Sequence, residues 1–204
     1  MTSATPRPHY PAAMAQLDSV GSTLLKAAGD LLALEGPAAL TVRGIANAAG
    51  VSTMNVYSRF GGKDGVVEHL FVEGFRLLGE AMSARPDSDD PLADIRACGL
   101  GYRQFAVDNQ TLYSVMFDRV VPDFQPSTEA QILAAATLKL LATRLERAMT
   151  AGLLRPADPL QTAAVVWATC HGLVSLELKQ VGPSMIDWSA AYDTATFMIL
   201  KGLA

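Results

Sequence analysis

The chain is poor in the residues that build stapled, metal-bound or membrane-spanning proteins. Cys98 and Cys170 are its only cysteines, both inside helix-spaced apolar stretches. Two isolated thiols make neither a disulfide framework nor a metal cluster, so they read as small buried apolar side chains. The histidines, His9, His69 and His171, are scattered without metal-ligand spacing. No nucleophile elbow, phosphate-binding loop or dinucleotide fingerprint occurs, and His171 and Glu177 would sit on opposing helix faces. With no catalytic constellation, the chain is not expected to be an enzyme, nor to carry a metal or cofactor. Strand-period alternation and internal repeats are both missing. The most apolar stretch, Ala163–Leu176, is interrupted by His171 and is too short for a membrane span. The first 19 residues hold no apolar core behind a basic start, so no signal peptide is expected, and the default location is the cytoplasm. Charge is not one-sided either. A net charge of −4 rules out a surface coated in basic residues but leaves room for a local basic face.

What is present is a helical pattern. Half of the 204 residues are hydrophobic, enough for a full core. Residues 1–10, with Pro6 and Pro8, read as a disordered tail carrying Arg7 and His9. A first helix begins near Pro11 or Asp18 and ends at Leu34, where Gly36-Pro37 stops it. Further helices are expected from Lys63 to about Ala84, Leu92 to Asp108, Asn109 to Phe117, Thr128 to Thr150, Pro159 to Gly182 and Trp188 to Leu203. Asp158 and Asp187 cap the last two. Between the helix ending near Ala84 and the one from Leu92, Arg85–Pro91 is a polar, breaker-rich linker. The fold class is all-α. The expected organisation is a tail at 1–10, a first helical domain at 11–65 and a larger helical domain at 66–204.

The most informative stretch is Thr41–Lys63, TVRGIANAAGVSTMNVYSRFGGK. Thr41 caps a short helix whose apolar face is Val42, Ile45, Ala46 and Ala49. Gly50 makes the turn, and Ser52 caps a second helix, Thr53 to Phe60. Val56 and Phe60, at i and i+4, face inward. Thr53, Met54, Asn55, Tyr57, Ser58 and Arg59 are left for the other faces. A turn between two short helices, the second with a polar, aromatic and basic outer face, suits a DNA major groove.

The segment LTVRGIANAAGVSTMNVYSRFGGKDGVV resembles the DNA-binding segment of TetR-type repressors. The matching residues are Leu40–Arg43, Ile45-Ala46, Ala49–Ser52, Val56-Tyr57, Phe60 and Lys63-Asp64, and the likeness extends over about residues 20–70. It departs at Gly44, where the family often has an acidic or larger polar residue, so no capping box forms with Thr41. It departs again at Met54-Asn55, so an operator sequence does not carry over. The third departure is Gly65-Val66, in place of bulkier residues. In the C-terminal part, WATCHGLVSLEL resembles the subset of that family marked by Trp167, His171 and Gly172.

The resemblance implies a homodimeric regulator on double-stranded DNA. The helix from Pro159, apolar nearly all round, and the last helix pair with their copies about a two-fold axis. Thr53, Met54, Ser58 and Arg59 are expected at base edges, and Arg43, Asn55, Tyr57 and Lys63 mostly at phosphates. In the first 70 residues five basic side chains face five acidic ones, which predicts a modest salt dependence per half-site. A small, largely apolar effector is the other expected partner. Candidate ligand residues are Tyr102, Phe105, Tyr113, Phe117, Trp167 and His171, with Met116 nearby and Arg103 as an anchor for an acid. For each the plainer reading is a core side chain. The competing function is a helical ligand-binding or interaction protein without specific DNA binding.

Overall fold

The computed structural model describes residues 17–204. The expected tail, with Arg7, His9 and the Pro11 start of the first helix, lies outside the described residues. Among the described residues there are nine α-helices and no strand. They are α1 (Ser19–Glu35), α2 (Val42–Ala48), α3 (Thr53–Phe60), α4 (Lys63–Met82), α5 (Pro91–Asp108), α6 (Gln110–Phe117), α7 (Thr128–Thr150), α8 (Pro159–Leu178) and α9 (Trp188–Leu203). A 3-10 turn, Pro37–Ala39, links α1 to α2.

Short polar side chains start the helices by satisfying the free N–H groups of the first turn. Asp18 accepts from the Gly21 amide at 2.7 Å, and Thr41 from Gly44 at 2.9 Å. Asp158 accepts from Gln161 at 2.8 Å, and Asp187 from Ala190 at 3.0 Å. None of the described helices is long and apolar enough to cross a membrane.

Contacts group the described chain into two compact units. One unit joins residues 17–76 to Asn109–Leu133; the other joins Leu77–Asp108 to Ala134–Ala204. In the first, α6 packs on α1. There the Phe117 ring meets Phe75 edge-on at 5.5 Å and Tyr113 at 4.9 Å. Short helices of eight residues bury little on their own, so α6 takes its place from these neighbours.

The second unit is centred on Cys98, Tyr102, Leu145, Val174 and Tyr192, all nearly or fully buried. Its 83–90 segment is tied down rather than loose. The buried Arg144 guanidinium donates to the Met82 carbonyl at 2.7 Å, to the Asp87 carboxylate at 3.1 Å and to the Arg85 carbonyl at 3.3 Å. Arg147 adds a bond to Asp94 at 3.0 Å. Cys98 is enclosed here, and burial pushes its thiol up to about 11, which makes it an inert apolar filler.

Candidate functional site

The helix-turn-helix rests on a small apolar core. Leu24, Ala28 and Ile45 are fully buried, as is Val56, and Phe60 is nearly so. With Val56 and Phe60 inward, α3 turns Thr53, Met54, Tyr57 and Ser58 to solvent. Met54 is 69% and Tyr57 55% exposed. Gly50, at φ 68°, makes the turn between α2 and α3. Ser52 occupies the cap position of α3 without bonding a backbone amide. Its hydroxyl instead accepts from the Asn55 side chain at 3.1 Å.

Two departures from the family pattern have a steric cause. A Cβ at Gly44 would lie 2.6 Å from the Ala39 carbonyl oxygen, so α2 starts tucked under the preceding 3-10 turn. The position that usually carries a long polar side chain has no room for one here. A Cβ at Gly65 would lie 1.7 Å from the Phe60 carbonyl oxygen. The first turn of α4 therefore presses directly on the end of α3, and Val66 beside it is fully buried.

Arg59, expected at a base edge, is engaged in an ion pair. Its guanidinium grips the Asp18 carboxylate with two bonds, Nε to Oδ1 at 2.9 Å and Nη2 to Oδ2 at 2.6 Å. It also donates to the Asn55 Oδ1 at 2.8 Å. Asp18 is at the same time the cap of α1, so one carboxylate starts one helix and holds another. The Arg59 bonds, then the Gly21 amide, bring its carboxyl down to about 2. Asn55, between Ser52 and Arg59, is likewise engaged within α3. This network was missed in the sequence because Asp18 and Arg59 lie 41 residues apart.

The remaining cations are few. Lys26 pairs with Asp30 at 2.7 Å, and Arg76 with Glu73 at 2.7 Å. Among the described residues of this unit, Arg43 on α2 and Lys63 at the start of α4 stand flanking α3 without an acidic partner. Arg43 is exposed and Lys63 half-buried. Among the described residues, no group of three His, Cys, Asp or Glu is placed to hold a metal ion.

Residues 24–70 match the family of bacterial regulatory proteins named for tetR, and residues 95–197, half of the chain, match the tetracyclin repressor-like C-terminal domain. The chain belongs to the TetR family. It is a DNA-binding transcriptional regulator by that membership. No curated protein matches it in sequence. Solved structures share the fold at low identity. A protein of unknown function from Rhodococcus sp. RHA1 is 23% identical, with 94% of this chain and 98% of that one covered and a TM-score of 0.78. The fatty acid degradation regulator FadR from Bacillus halodurans is 20% identical over 92% and 98%, with a TM-score of 0.73. The TetR-family regulator PfmR from Thermus thermophilus is 18% identical over 89% and 98%, with a TM-score of 0.66.

The six candidate ligand residues of this TetR-family chain are divided between the two units. Tyr102, Phe105, Trp167 and His171 belong to one unit, Tyr113 and Phe117 to the other. The Tyr102 hydroxyl lies 3.1 Å from His171 Nδ1, and the Trp167 ring lies 5.7 Å from the imidazole. His171 is thus half-buried and satisfied by α5. Arg103 is no free anchor for an acid. It forks onto Glu177 of α8 at 2.9 and 2.5 Å, and this bonding raises its pKa. A cavity of about 350 Å³ opens elsewhere, within the unit of the helix-turn-helix. Its walls come from α4, α6, the 118–127 segment and Gln131 of α7, and of the candidate ligand residues and their neighbours singled out in the sequence only Met116 lines it.

Proposed function

We propose that this TetR-family regulator is a homodimeric repressor, released from a near-palindromic operator by a small effector. The observation that carries the DNA reading is α3 itself. Val56 and Phe60 seat it, and Thr53, Met54, Tyr57 and Ser58 present a continuous exposed face. Thr53, Met54 and Ser58 contact base edges in the major groove, and Arg43, Tyr57 and Lys63 contact phosphates. The uncapped first turn of α3 offers backbone N–H groups to a phosphate. Asn55 and Arg59 act as positioning residues, holding α3 on α1 through Asp18.

The dimer is carried by α8 and α9. Val165 of α8 is 61% exposed, and Phe197 and Met198 of α9 are 50% and 65% exposed. Ala168 and Gly172 share the Val165 face and allow close helix approach. Apolar faces of this size on adjacent helices mark a partner surface, and two copies form a four-helix contact. The Trp167, His171 and Gly172 likeness to one family subset agrees with this use of α8.

Fluorescence-anisotropy titration of the DNA upstream of the protein's own gene, against scrambled DNA, tests the reading. Specific binding at two subunits per site is expected. Equal, weak binding to both DNAs, and to every sequence in a random selection, would replace it with the non-DNA-binding alternative.

A further inference from the structure

The cavity in the unit of the helix-turn-helix has a mixed lining, part apolar and part polar. Val67 and Phe71 of α4, Val115 and Met116 of α6, and Val121 and Phe124 form its apolar wall. Arg119 lines the same space, with Gln125 and Gln131. Arg119 is exposed and sits at φ 51°, outside the usual range of a side-chain-bearing residue. The segment that carries it is clasped at its far end. The Ser127 amide donates to both Glu68 carboxylate oxygens, at 3.2 and 3.3 Å. At about 350 Å³ the volume falls within the range that holds a small organic molecule.

We propose that this cavity is the effector site, and that it takes a small organic monoanion with an apolar body, its carboxylate on Arg119. An unpaired guanidinium across from an apolar wall suits an acid group, because it forks onto two oxygens. The apolar wall removes the body of the ligand from water. The inference rests on the effector-released reading above and gives it a place and a chemistry. It also supplies a physical route to DNA. Met116 lines the cavity and reaches over Gly74 of α4, and α6 packs on α1. α1 in turn holds α3 through Asp18 and Arg59. An occupant that prefers α6 displaced thereby favours a conformation with α3 misplaced, and it releases DNA only by the extent of that preference.

The test uses octanoate, with 1-octanol as its uncharged counterpart, titrated calorimetrically into the full-length protein without DNA. Two variants accompany the wild type. Arg119→Gln removes the charge, and Gln131→Trp fills the cavity from its exposed rim without touching the core. Octanoate is expected to bind the wild type more tightly than octanol. Arg119→Gln should weaken octanoate by about tenfold or more and leave octanol within about twofold, and Gln131→Trp should weaken both. Circular dichroism confirms that both variants are folded. Octanoate binding indifferent to both substitutions, or no binding of either probe at millimolar concentration, would overturn the site. A separate anisotropy titration reads DNA release. Octanoate that binds through Arg119 yet leaves DNA affinity unchanged upholds the site and refutes release by its occupant.

Discussion

The pairing of Arg59 with Asp18 makes a quantitative statement about DNA binding. If Arg43 and Lys63 are the cations that reach phosphate, a dimer neutralises four phosphates. The logarithm of affinity then falls against the logarithm of salt with a slope of about −3.6. Were Arg59 to leave Asp18 for the DNA, six contacts would steepen the slope to about −5.4. Between 50 and 200 mM salt these slopes correspond to losses of roughly 150-fold and roughly 1,800-fold, well separated by anisotropy. Arg7 lies outside the described residues and adds equally to every variant, so differences between variants decide the matter. Arg43→Gln should flatten the slope by about 1.8, two contacts per dimer. Arg59→Gln should lower affinity for all sequences while leaving the slope unchanged, because it loosens α3 without removing a phosphate contact. A flattening by Arg59→Gln equal to that of Arg43→Gln would refute the positioning role. Relaxed base preference in Arg59→Gln, with the slope intact, would make Arg59 a base reader after all.

Other consequences can be checked on the isolated protein. Asp18→Asn keeps a good N-cap for α1 but ends the ion pair, so Tm should fall at neutral pH. The Asp18 carboxyl is depressed from 3.8 to about 2; its stabilisation is therefore full above pH 3.8 and lost as the pH falls through 2. The Tm gap between wild type and Asp18→Asn should be flat from pH 5 to 8 and close on acidification; a gap that persists at the acid end would count against the pairing. Gly65→Ala forces α4 off the Phe60 carbonyl, at about 3 kcal/mol for the overlap, less about 1 kcal/mol of helix propensity gained. Denaturant unfolding should show the net loss, with DNA binding abolished; an unchanged midpoint would mean that the α3–α4 junction yields easily. Phe197→Glu should give a monomer in sedimentation at micromolar concentration and weaken operator binding by about 100-fold or more. A dimer that survives the substitution would move the interface away from α9.

The division between what was legible and what was not follows the range of the forces involved. Caps at Thr41, Asp158 and Asp187, the extent of α3 and α7, and the inward Val56 and Phe60 depend on neighbours within four residues, and a sequence displays those directly. Membership of the TetR family was also readable, because the helix-turn-helix needs its small and apolar residues at fixed spacing.

The placement of charge was another matter. Arg59 and Arg103 each have two readings on a helix surface, free or paired, and only packing brings Asp18 to the first and Glu177 to the second. The Gly44 and Gly65 contacts likewise depend on the angle at which one helix meets the next. Aromatic spacing pointed to Tyr102, Phe105, Tyr113 and Phe117, of which Tyr102, Phe105 and Tyr113 are buried. The cavity of about 350 Å³ lies where the 118–127 segment, with Arg119 and Asp123 at positive φ, leaves α4 and α6 incompletely covered. Periodicity determined the helices and their buried faces. Which charges are committed, and where space remains, was decided by the meeting of elements far apart in the chain, which no local pattern encodes.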